Sequence, residues 1–596
     1  MRPASHSTDH LMPLVLVLVS GAILWYAHAV SWDLGGRSPI LSYDSAQYAL
    51  AARELAWHGR LATPFALPLD LTWPGPPWAL TALQPGLVLV EAAIFRIVPA
   101  RGAIAGSDPR AWLTLLLPFM SYLMLGAGAV LGARHLLVRA LPDAPRWIKA
   151  GAPAALGLMV LLDPEAQHFA LSGLTELPFT VLYLAALLGL ARGAGVAYPF
   201  VFGLLLGVAG LFRANMLWLA PLFALGSAWC APAGRRVPVA LGVLGGFVLP
   251  LVPWWIYKWR AFGSPGWDIT RYVIWDQVQG RTWFELYHRP ELPAVPGGGE
   301  AVRLLLVKVQ GNLGKLAPAL LDGPRGLWLG ALVAWLCTRP PRPFAAAGWV
   351  ALAGLLMNLL AACVSIPWLR YVFPTRIVAE AAGLFALWAL LQRIPGATDR
   401  ARAFACGAAA VLALGWGTWQ TRAVHAEAIA TARERGVPST QTLTAMSVTL
   451  NEVLKAGEPL MSNLGPALAW QTNHPVIHLA YSPADVAACR RRRDFRHVVL
   501  VFRSSERAWP EWQEIVARPG TAQLVKELSV SRERRFRTTD GFVVVWLELG
   551  PMPAGFAARE SSSQAGRWGD EPGVQASRPA RVSGEGGPAT PEGDSP

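Results

Sequence analysis

Charged residues are scarce in this sequence. Asp, Glu, Lys and Arg make up 15% of the 596 residues, whereas an ordinary soluble domain contains roughly 25%. Hydrophobic residues account for 53%, and the chain has 27 tryptophans and 21 phenylalanines, which is opposite to the composition of a disordered chain. These proportions exclude a soluble enzyme and a disordered scaffold, and they predict a membrane protein with polar appendages.

Acidic residues and cysteines are also few. The 38 acidic residues stand against 52 basic ones, giving a net charge of +14. The basic residues cluster between apolar runs, as the positive-inside rule predicts, so the charge indicates membrane topology and not a nucleic-acid partner.

Of five cysteines, only Cys489 lies in a polar region, so no disulfide can stabilise that region. No His, Cys and carboxylate set has metal-site spacing, and we predict no metal site.

Long uncharged runs predict the membrane spans, because a helix needs about 20 apolar residues to cross about 30 Å of hydrocarbon. Eight runs are long and free of charged residues: 11–32, 71–90, 111–133, 193–212, 214–234, 237–257, 343–369 and 403–421. Four weaker candidates are 147–162, 177–191, 326–338 and 377–392. We therefore expect about 11 to 13 spans. The first run is longer than a signal-peptide core, which favours an uncleaved helix.

The positions of Lys and Arg predict the orientation of the bundle. Basic loops at 134–149, 235–236, 339–342 and 393–402 should be cytoplasmic. The external side then receives residues 258–325, the turn at 368–371 and everything after about residue 422. Twelve full passes would return the C-terminus to the cytoplasm, so one segment between 71 and 162 must be re-entrant or miscounted.

Changes in composition predict three parts of the chain. Residues 1–424 form a transmembrane domain, mainly α-helical, with external loops at 33–70 and 258–325. Residues 425–550 form a small external α/β domain with helices at 442–456 and from Ser482, and short apolar runs or strands at 459–461, 476–479, 498–502 and 542–547. Ser482 and Pro483 suit the start of a helix. Residues 551–596, rich in Gly, Pro, Ser and Glu, are predicted to be disordered.

The stretch from Ser42 to Gly59 carries the most information about chemistry. Asp44 follows the first predicted span and leads into a helix in which Tyr48, Ala51 and Leu55 share one face. Such an amphipathic helix can lie along the membrane surface. The sequence therefore places a carboxylate at the external membrane surface.

This order of first helix, external acidic motif, surface helix and glycine turn resembles the polytopic GT-C glycosyltransferases, the class of protein O-mannosyltransferases and lipid A aminoarabinose transferases. Further segments are similar to that class: Gln84-Pro85-Gly86, Ser172 to Pro178, Gly207 to Arg213, Trp254 to Pro265 and Arg370-Tyr371-Val372-Phe373-Pro374. Two positions depart from the class pattern. Ser45 stands where many members have a second carboxylate, and Gln84 replaces a histidine, so both departures bear on catalytic competence.

The resemblance implies a GT-C-like bundle, a polyprenyl-phosphate sugar donor and inversion at the anomeric carbon. Transfer to a hydroxyl needs a base for its proton and cations for the leaving phosphate. Asp44 is the predicted base, and Glu176, an acid within an apolar region, is a second catalytic candidate. Candidates for binding the donor phosphate or substrate are Arg370, Tyr371, Arg213, Lys258, Arg271, Tyr43 and Tyr48. This chemistry requires no cofactor, and the participation of a divalent cation is left as an open alternative.

Structural alternatives accompany these assignments. Asp44 could cap the following helix, Glu176 could neutralise a basic neighbour, and Arg370 and Arg213 could extend to lipid headgroups. His58 and His168 are interpreted as interface residues. The run Arg490–Arg493 suits the end of a helix or a lipid-facing surface.

The favoured function is an integral membrane glycosyltransferase at the outer face of a bacterial-type inner membrane. Its predicted partners are a polyprenyl-phosphate sugar, membrane lipids and a lipid, glycan or protein acceptor. A transporter or flippase for lipid-linked sugars is the second hypothesis, although we find no internal repeat of the kind that many transporters show. A catalytically inactive membrane protein of the same fold, or an anchor for the C-terminal domain, is the third.

Overall fold

The structure is a computed structural model that describes residues 11–33, 41–98, 110–140, 146–278, 282–291, 297–434, 438–472, 474–502, 512 and 528–551. Helices dominate it. The first eleven are α1 (Leu11–Asp33), α2 (Tyr43–His58), α3 (Pro85–Ile97), α4 (Arg110–Leu113), α5 (Leu116–Ala140), α6 (Arg146–Leu161), α7 (Pro164–Ala170), α8 (Glu176–Ala191), α9 (Ala194–Ala197), α10 (Pro199–Phe212) and α11 (Met216–Cys230). Apart from Pro551, the predicted tail 551–596 lies outside the described residues.

The remaining helices and the strands complete the chain. The helices are α12 (Arg236–Phe262), α13 (Thr270–Val273), α14 (Trp283–His288), α15 (Gly298–Leu320), α16 (Arg325–Cys337), α17 (Arg342–Val364), α18 (Phe373–Leu391), α19 (Asp399–Glu434), α20 (Thr440–Val453), α21 (Gly465–Thr472) and α22 (Pro483–Arg492). The strands are β1 (Ala62–Thr63), β2 (Phe65–Ala66), β3 (Trp78–Ala79), β4 (Leu460–Ser462), β5 (Val476–His478), β6 (His497–Phe502), β7 (Val530–Arg537) and β8 (Val543–Leu549).

Apolar helices form the predicted bundle. Among the described residues, six helical segments are long and apolar enough to cross a membrane, and five further apolar helices have 10–17 residues. The long segments contain α1, α5, α12, α17, α18 and α19, and the shorter ones are α6, α8, α10, α11 and α16. The predicted polytopic helical fold is confirmed.

The predicted span at 71–90 is wrong. Its first half contains the end of a 3-10 helix (Pro68–Thr72) and strand β3, and α3 begins only at Pro85. The run has the composition of a span, but Pro74, Pro76 and Pro77 each lack the backbone N–H that a helix interior requires. The segment therefore belongs to the connection between α2 and α3.

The end of the chain folds into the predicted α/β unit. We call α20–α22 together with β4–β8 the C-terminal unit. Its six-stranded sheet has the order β2-β5-β4-β6-β8-β7, with parallel pairs on one side and the antiparallel pairs β6–β8 and β8–β7 on the other. At the start of α22, the Asp485 carboxylate accepts hydrogen bonds from the Ser482 N–H and hydroxyl at 3.1 and 2.7 Å, consistent with the predicted helix start.

One strand of that sheet comes from the loop that follows α2. Strand β2 pairs in parallel with β5, with Phe65 opposite Val476, and the Val476 N–H donates to the Pro64 carbonyl at 2.9 Å. The loop and the C-terminal unit therefore share one sheet although about 400 residues separate them in sequence. This pairing fixes the loop that carries α2 against the C-terminal unit.

Helix α2 is buried, contrary to the expectation of a helix on the membrane surface. Ser45, Ala46 and Tyr48 through Arg53 are all buried, and the helix packs against α3 and α21. The four alanines at 46, 49, 51 and 52 have small side chains that allow neighbouring elements to approach on several sides. Because the helix is held between protein elements, its first turn has a defined position.

Candidate active site

Asp44 lies in the first turn of α2 and does not cap it. Ser42 is the N-cap residue, since its side chain accepts a hydrogen bond from the Ser45 N–H. The Asp44 carboxylate instead accepts a hydrogen bond of 2.8 Å from Nη2 of Arg370. The capping alternative for Asp44 is therefore wrong, and the carboxylate faces another part of the chain.

Arg370 lies between two carboxylates. It belongs to a 3-10 turn, Leu369–Tyr371, immediately before α18, and its Nε is 3.6 Å from Oε1 of Glu176. Burial lowers the pKa of Arg370, but the nearby Glu176 and Asp44 carboxylates raise it above its ordinary value overall. The Arg370 side chain is 33% exposed and the Asp44 side chain 36% exposed, so both are partly accessible.

Glu176 joins the second arginine to this group. It is the first residue of α8 and is 1% exposed. Its Oε1 is 2.9 Å from Nη1 of Arg213, the residue that ends α10. The charged groups therefore alternate in the order Asp44, Arg370, Glu176 and Arg213, with two negative and two positive charges. Because Glu176 is enclosed, its carboxylate is shielded from solvent and lies against the arginines.

Polar contacts among helices fix the arginines. Asn358 of α17 accepts hydrogen bonds at Oδ1 from Asn215 Nδ2 at 2.9 Å and from Trp218 Nε1 at 3.0 Å. Its own Nδ2 donates to Thr375 of α18 at 3.1 Å. Asn215 follows Arg213 by two residues, and Thr375 follows Arg370 by five residues. This network therefore ties the two arginine-bearing segments to one buried amide.

Ser45, which stands where the class pattern has a second carboxylate, is enclosed. It is 0% exposed, and its hydroxyl is 3.0 Å from the Ser42 hydroxyl. Gly173, with φ +64°, packs against it so closely that a Cβ on Gly173 would lie 2.9 Å from the Ser45 Cβ. Only glycine adopts that backbone conformation at little cost. The structure thus places the Ser172–Pro178 segment next to α2. At the start of α2, Asp44 stands without a second carboxylate beside it, because that position is Ser45.

The three tyrosines border this group on different sides. Tyr48 is close to Glu176, Arg213 and Thr175, and burial raises the pKa of its phenol above the ordinary value. Tyr371 stacks on Trp368 at 5.9 Å between ring centroids, and burial likewise raises the pKa of Tyr371. Both hydroxyls therefore stay protonated at neutral pH and can donate hydrogen bonds.

Tyr43 faces the C-terminal unit. Its ring centroid is 5.1 Å from that of His478 and 5.9 Å from that of Phe65. Burial, followed by the charges of Asp44 and Asp70, raises the pKa of Tyr43 well above its ordinary value. Tyr43 therefore stands between Asp44 and the C-terminal unit.

Lys258 and Arg271 are less directly connected. Lys258 pairs with Asp268 at 3.4 Å, and its Nζ lies 5.1 Å from the Trp254 ring centroid. Tyr287 interacts electrostatically with both Asp268 and Asp44. Arg271 is exposed and lies over Tyr272, at 5.6 Å from its ring centroid. Within the described chain it makes no hydrogen bond or ion pair with another predicted site residue.

The sequence analysis did not predict two sets of contacts, those of His168 and those of Arg376. His168 of α7, interpreted there as an interface residue, interacts electrostatically with Glu176 and Arg370, and its side chain is accessible. In addition, Arg376 of α18 pairs with Asp163 at 2.8 Å, Glu380 at 3.1 Å and Glu165 at 3.3 Å. Arg376 and Glu380 have the i, i+4 spacing of an ion pair within one helix. The contacts of Arg376 with Asp163 and Glu165, and those of His168, have no local signal because they form only through helix packing.

The described residues contain no group of three or more His, Cys, Asp or Glu side chains arranged to hold a metal ion. Oxygen ligands are nevertheless accessible at Asp44. The chemistry available to the four charged groups is proton acceptance by a carboxylate beside guanidinium groups that suit phosphate oxygens.

Comparison with known proteins supports the fold. No family model matches the sequence, and no curated protein matches it. The chain is similar to the structure of the Archaeoglobus fulgidus oligosaccharyltransferase in the apo form, with a TM-score of 0.53, 13% identity, and coverage of 91% of this chain and 75% of that one. The same archaeal enzyme, AglB, in complex with an inhibitory peptide and a dolichol-phosphate, has a TM-score of 0.52, 13% identity, and coverage of 89% and 74%.

A third similar structure is ArnT from Cupriavidus metallidurans bound to undecaprenyl phosphate, with a TM-score of 0.49, 15% identity, and coverage of 91% and 98%. The archaeal comparisons show that this chain has the fold of the GT-C membrane glycosyltransferases. The fold expected from the motif order is confirmed.

Proposed function

We propose that this chain is an integral membrane glycosyltransferase that takes a sugar from a polyprenyl-phosphate donor and adds it to a hydroxyl of a lipid, glycan or protein. The pairing of Asp44 with Arg370, both about one-third exposed, carries this proposal. A base for the acceptor and a cation for the leaving phosphate lie side by side at an accessible place. The archaeal neighbour holds a dolichol-phosphate, which supports the same class of ligand here.

In the proposed reaction, the acceptor oxygen attacks the anomeric carbon of the donor sugar. The new glycosidic C–O bond forms as the C–O bond to phosphate breaks, and Asp44 accepts the proton of the hydroxyl. Polyprenyl phosphate leaves as an anion, so no general acid is needed. A carboxylate near the anomeric carbon also stabilises oxocarbenium character in the transition state. Attack on the face opposite the phosphate gives the inversion that the resemblance implies.

Arg370 is the proposed primary phosphate ligand, and Arg213 supports it. A guanidinium can donate two parallel hydrogen bonds to phosphate oxygens, and the exposed part of Arg370 is available for this contact. Arg213 is 10% exposed and paired with Glu176, so it contributes mainly by its charge. Glu176 keeps the two guanidiniums apart and oriented. Tyr48, Tyr371 and Tyr43 supply neutral donors around the sugar and phosphate, with Lys258 and Arg271 as outer candidates.

The proposed location is the inner membrane of a bacterial-type cell, with the C-terminal unit and the site outside the cytoplasm. The loops rich in Lys and Arg support this orientation. Residues 1–424 and 425–550 remain the proposed domains, joined by the shared sheet. The reaction as written requires no cofactor, and a divalent cation beside the phosphate stays compatible with it.

The experiment is to incubate membranes containing the protein with a panel of radiolabelled polyprenyl-phosphate sugars and to follow the label. Membranes without the protein are the control. Transfer of one label to a lipid, glycan or protein fraction is the expected result. Donor binding without transfer would instead support a lipid-linked sugar transporter or an inactive protein of this fold, and absence of both binding and transfer across the panel would contradict the proposal.

A further inference from the structure

Arg53 connects the helix that carries Asp44 to the C-terminal unit. This residue of α2 is 6% exposed. Its Nη1 donates to the Trp470 carbonyl at 3.0 Å, and its Nη2 donates to the Ala469 carbonyl at 3.1 Å. Both carbonyls belong to the last turn of α21, where carbonyl groups have no partner within the helix. A cation at this end also interacts favourably with the helix dipole.

Aromatic contacts hold the same guanidinium from the sides. Its carbon lies 4.7 Å from the Trp470 ring centroid and 5.6 Å from that of Trp57. On the Trp57 ring lies a second guanidinium, that of Arg110, at 4.2 Å. Cation–π contacts of this kind add stability when they are desolvated, and Arg110 is 1% exposed. The stack therefore joins α2, α4 and α21.

Two further contacts fix the same region. Tyr43, next to Asp44, packs against His478 of β5. After α2, strand β2 pairs with β5. The C-terminal unit thus contacts the chain immediately before Asp44, nine residues after it at Arg53, and beyond the end of the helix. These contacts restrain both the position of α2 and its rotation.

We propose that the C-terminal unit is a component of the catalytic site and that Arg53 is a positioning residue for Asp44. This inference rests on the proposed function. Arg53 fixes α2 against α21 so that the Asp44 carboxylate stays within hydrogen-bond distance of Arg370. A displacement of about 1 Å at a reacting group can lower a rate by about 100-fold. Loss of the Arg53 contacts therefore affects the chemical step more than donor binding, which depends on Arg370 and Arg213.

The test compares Arg53→Met and Arg53→Lys with Arg60→Met. Arg60 is exposed just beyond the end of α2 and serves as the matched control. For Arg53→Met we expect kcat to fall between about 10-fold and 100-fold while the KM for the donor changes by less than about twofold. Arg53→Lys should recover part of kcat, because an ammonium keeps the charge but cannot reproduce the fork to two carbonyls. Arg60→Met should behave as the unmodified protein.

Hydrogen exchange provides a readout that does not depend on activity. In Arg53→Met, the amides of Ser45 and Ala46 should exchange at least about tenfold faster, whereas amides in the centre of α17 should not change. If Arg53→Met fails to fold, Arg53→Lys and Trp470→Phe, which retain more of the contact, carry the same measurement with smaller effects.

The two proposals fail in different ways. If the unmodified protein transfers no sugar from any donor, the proposed function fails, and exchange at Ser45 and Ala46 still tests whether Arg53 fixes α2. If transfer occurs but Arg53→Met retains kcat and exchange like Arg60→Met, the positioning role is overturned. A rise in donor KM with unchanged kcat would also overturn it.

Discussion

The guanidinium of Arg370 donates a 2.8 Å hydrogen bond to the carboxylate of Asp44, although the two residues are 326 positions apart in the chain. Through Glu176 this pair continues to Arg213. The four charges sum to zero before a substrate binds. In the proposed reaction, the donor phosphate takes over part of the Arg370 hydrogen bonding that Asp44 holds, and this exchange brings the phosphate and the proposed base together.

Replacement of Arg370 tests the phosphate contact. Arg370→Ala should raise the donor KM by about 100-fold, since a charge-assisted hydrogen bond contributes roughly 1.5–3 kcal/mol. The donor KM of Arg370→Lys should lie between the values of the unmodified protein and Arg370→Ala, because lysine keeps the charge without the bidentate geometry. Initial rates over a range of donor concentrations measure this. Arg303→Ala, at an exposed position of α15, is the control, and equal effects of the Ala and Lys variants would argue against phosphate binding.

Replacement of Glu176 should separate binding from turnover. Glu176→Gln keeps the shape but removes the negative charge between Arg213 and Arg370, so the two cations become available to phosphate. We expect polyprenyl phosphate to bind about tenfold more tightly, while kcat falls because the arginines lose their orientation. Isothermal titration calorimetry measures the affinity for polyprenyl phosphate, and steady-state rates measure kcat. Weaker phosphate binding in this variant would show that Glu176 does not restrain the arginines.

The Arg376 network supports a prediction about stability. Arg376 is enclosed by the carboxylates of Asp163, Glu165 and Glu380. Arg376→Met leaves Asp163 without the guanidinium that it pairs with, while Glu380 keeps its contact with Arg325 at 3.4 Å. Breaking a buried ion pair costs about 3–5 kcal/mol. Thermal unfolding in detergent should show a clear decrease in Tm. Arg393→Met, an exposed arginine that bonds Thr338, should change Tm little, and similar Tm values for both variants would contradict the account.

Asp70 and His478 predict opposite effects of pH on stability. Burial raises the pKa of Asp70 to about 6 from an ordinary value of 3.8. Its contribution to stability is therefore present below pH 3.8 and is lost as the pH rises through about 6, by roughly 2–3 kcal/mol. Asp70→Asn should remove this loss.

His478 acts in the other direction. Burial, followed by the neighbouring His288, lowers the pKa of His478 well below 6.5. Its contribution is present above pH 6.5 and is lost as the pH falls. His478→Gln should therefore reduce the loss of stability on acidification. Unfolding measured at several pH values between about 4 and 7 checks both variants, and slopes that match those of the unmodified protein would refute these assignments.

Local patterns predicted much of the C-terminal unit. Helix α20, the start of α22 at Ser482, and strands β4, β5, β6 and β8 lie close to their predicted positions, because capping and apolar runs act over a few residues. Strand β7 escaped prediction because four arginines leave it without apolar alternation. Strand β2 has only two residues and forms by pairing with a segment far along the chain.

The sequence predicted the residues of the candidate site but not the contacts between the helices that carry them. The motif order identified Asp44, Glu176, Arg213 and Arg370, and the structure brings these four together. The sequence did not indicate the tie from Arg53 to α21 or the buried network at Arg376. Both depend on which helices pack side by side, and a linear pattern of apolar residues contains no information about that choice. The roles of the four charged site residues in catalysis stay predictions.

The most direct test of the account is single-turnover sugar transfer by purified Asp44→Asn, with Glu54→Gln on the same helix as the control. We predict that Asp44→Asn binds donor at least as tightly as the unmodified protein, because Arg370 is freed from the Asp44 charge. It should transfer sugar about 100-fold to 10,000-fold more slowly, as expected for loss of a general base, while Glu54→Gln keeps the rate of the unmodified protein. Transfer by Asp44→Asn at a rate close to that of the unmodified protein would show that Asp44 is not the base.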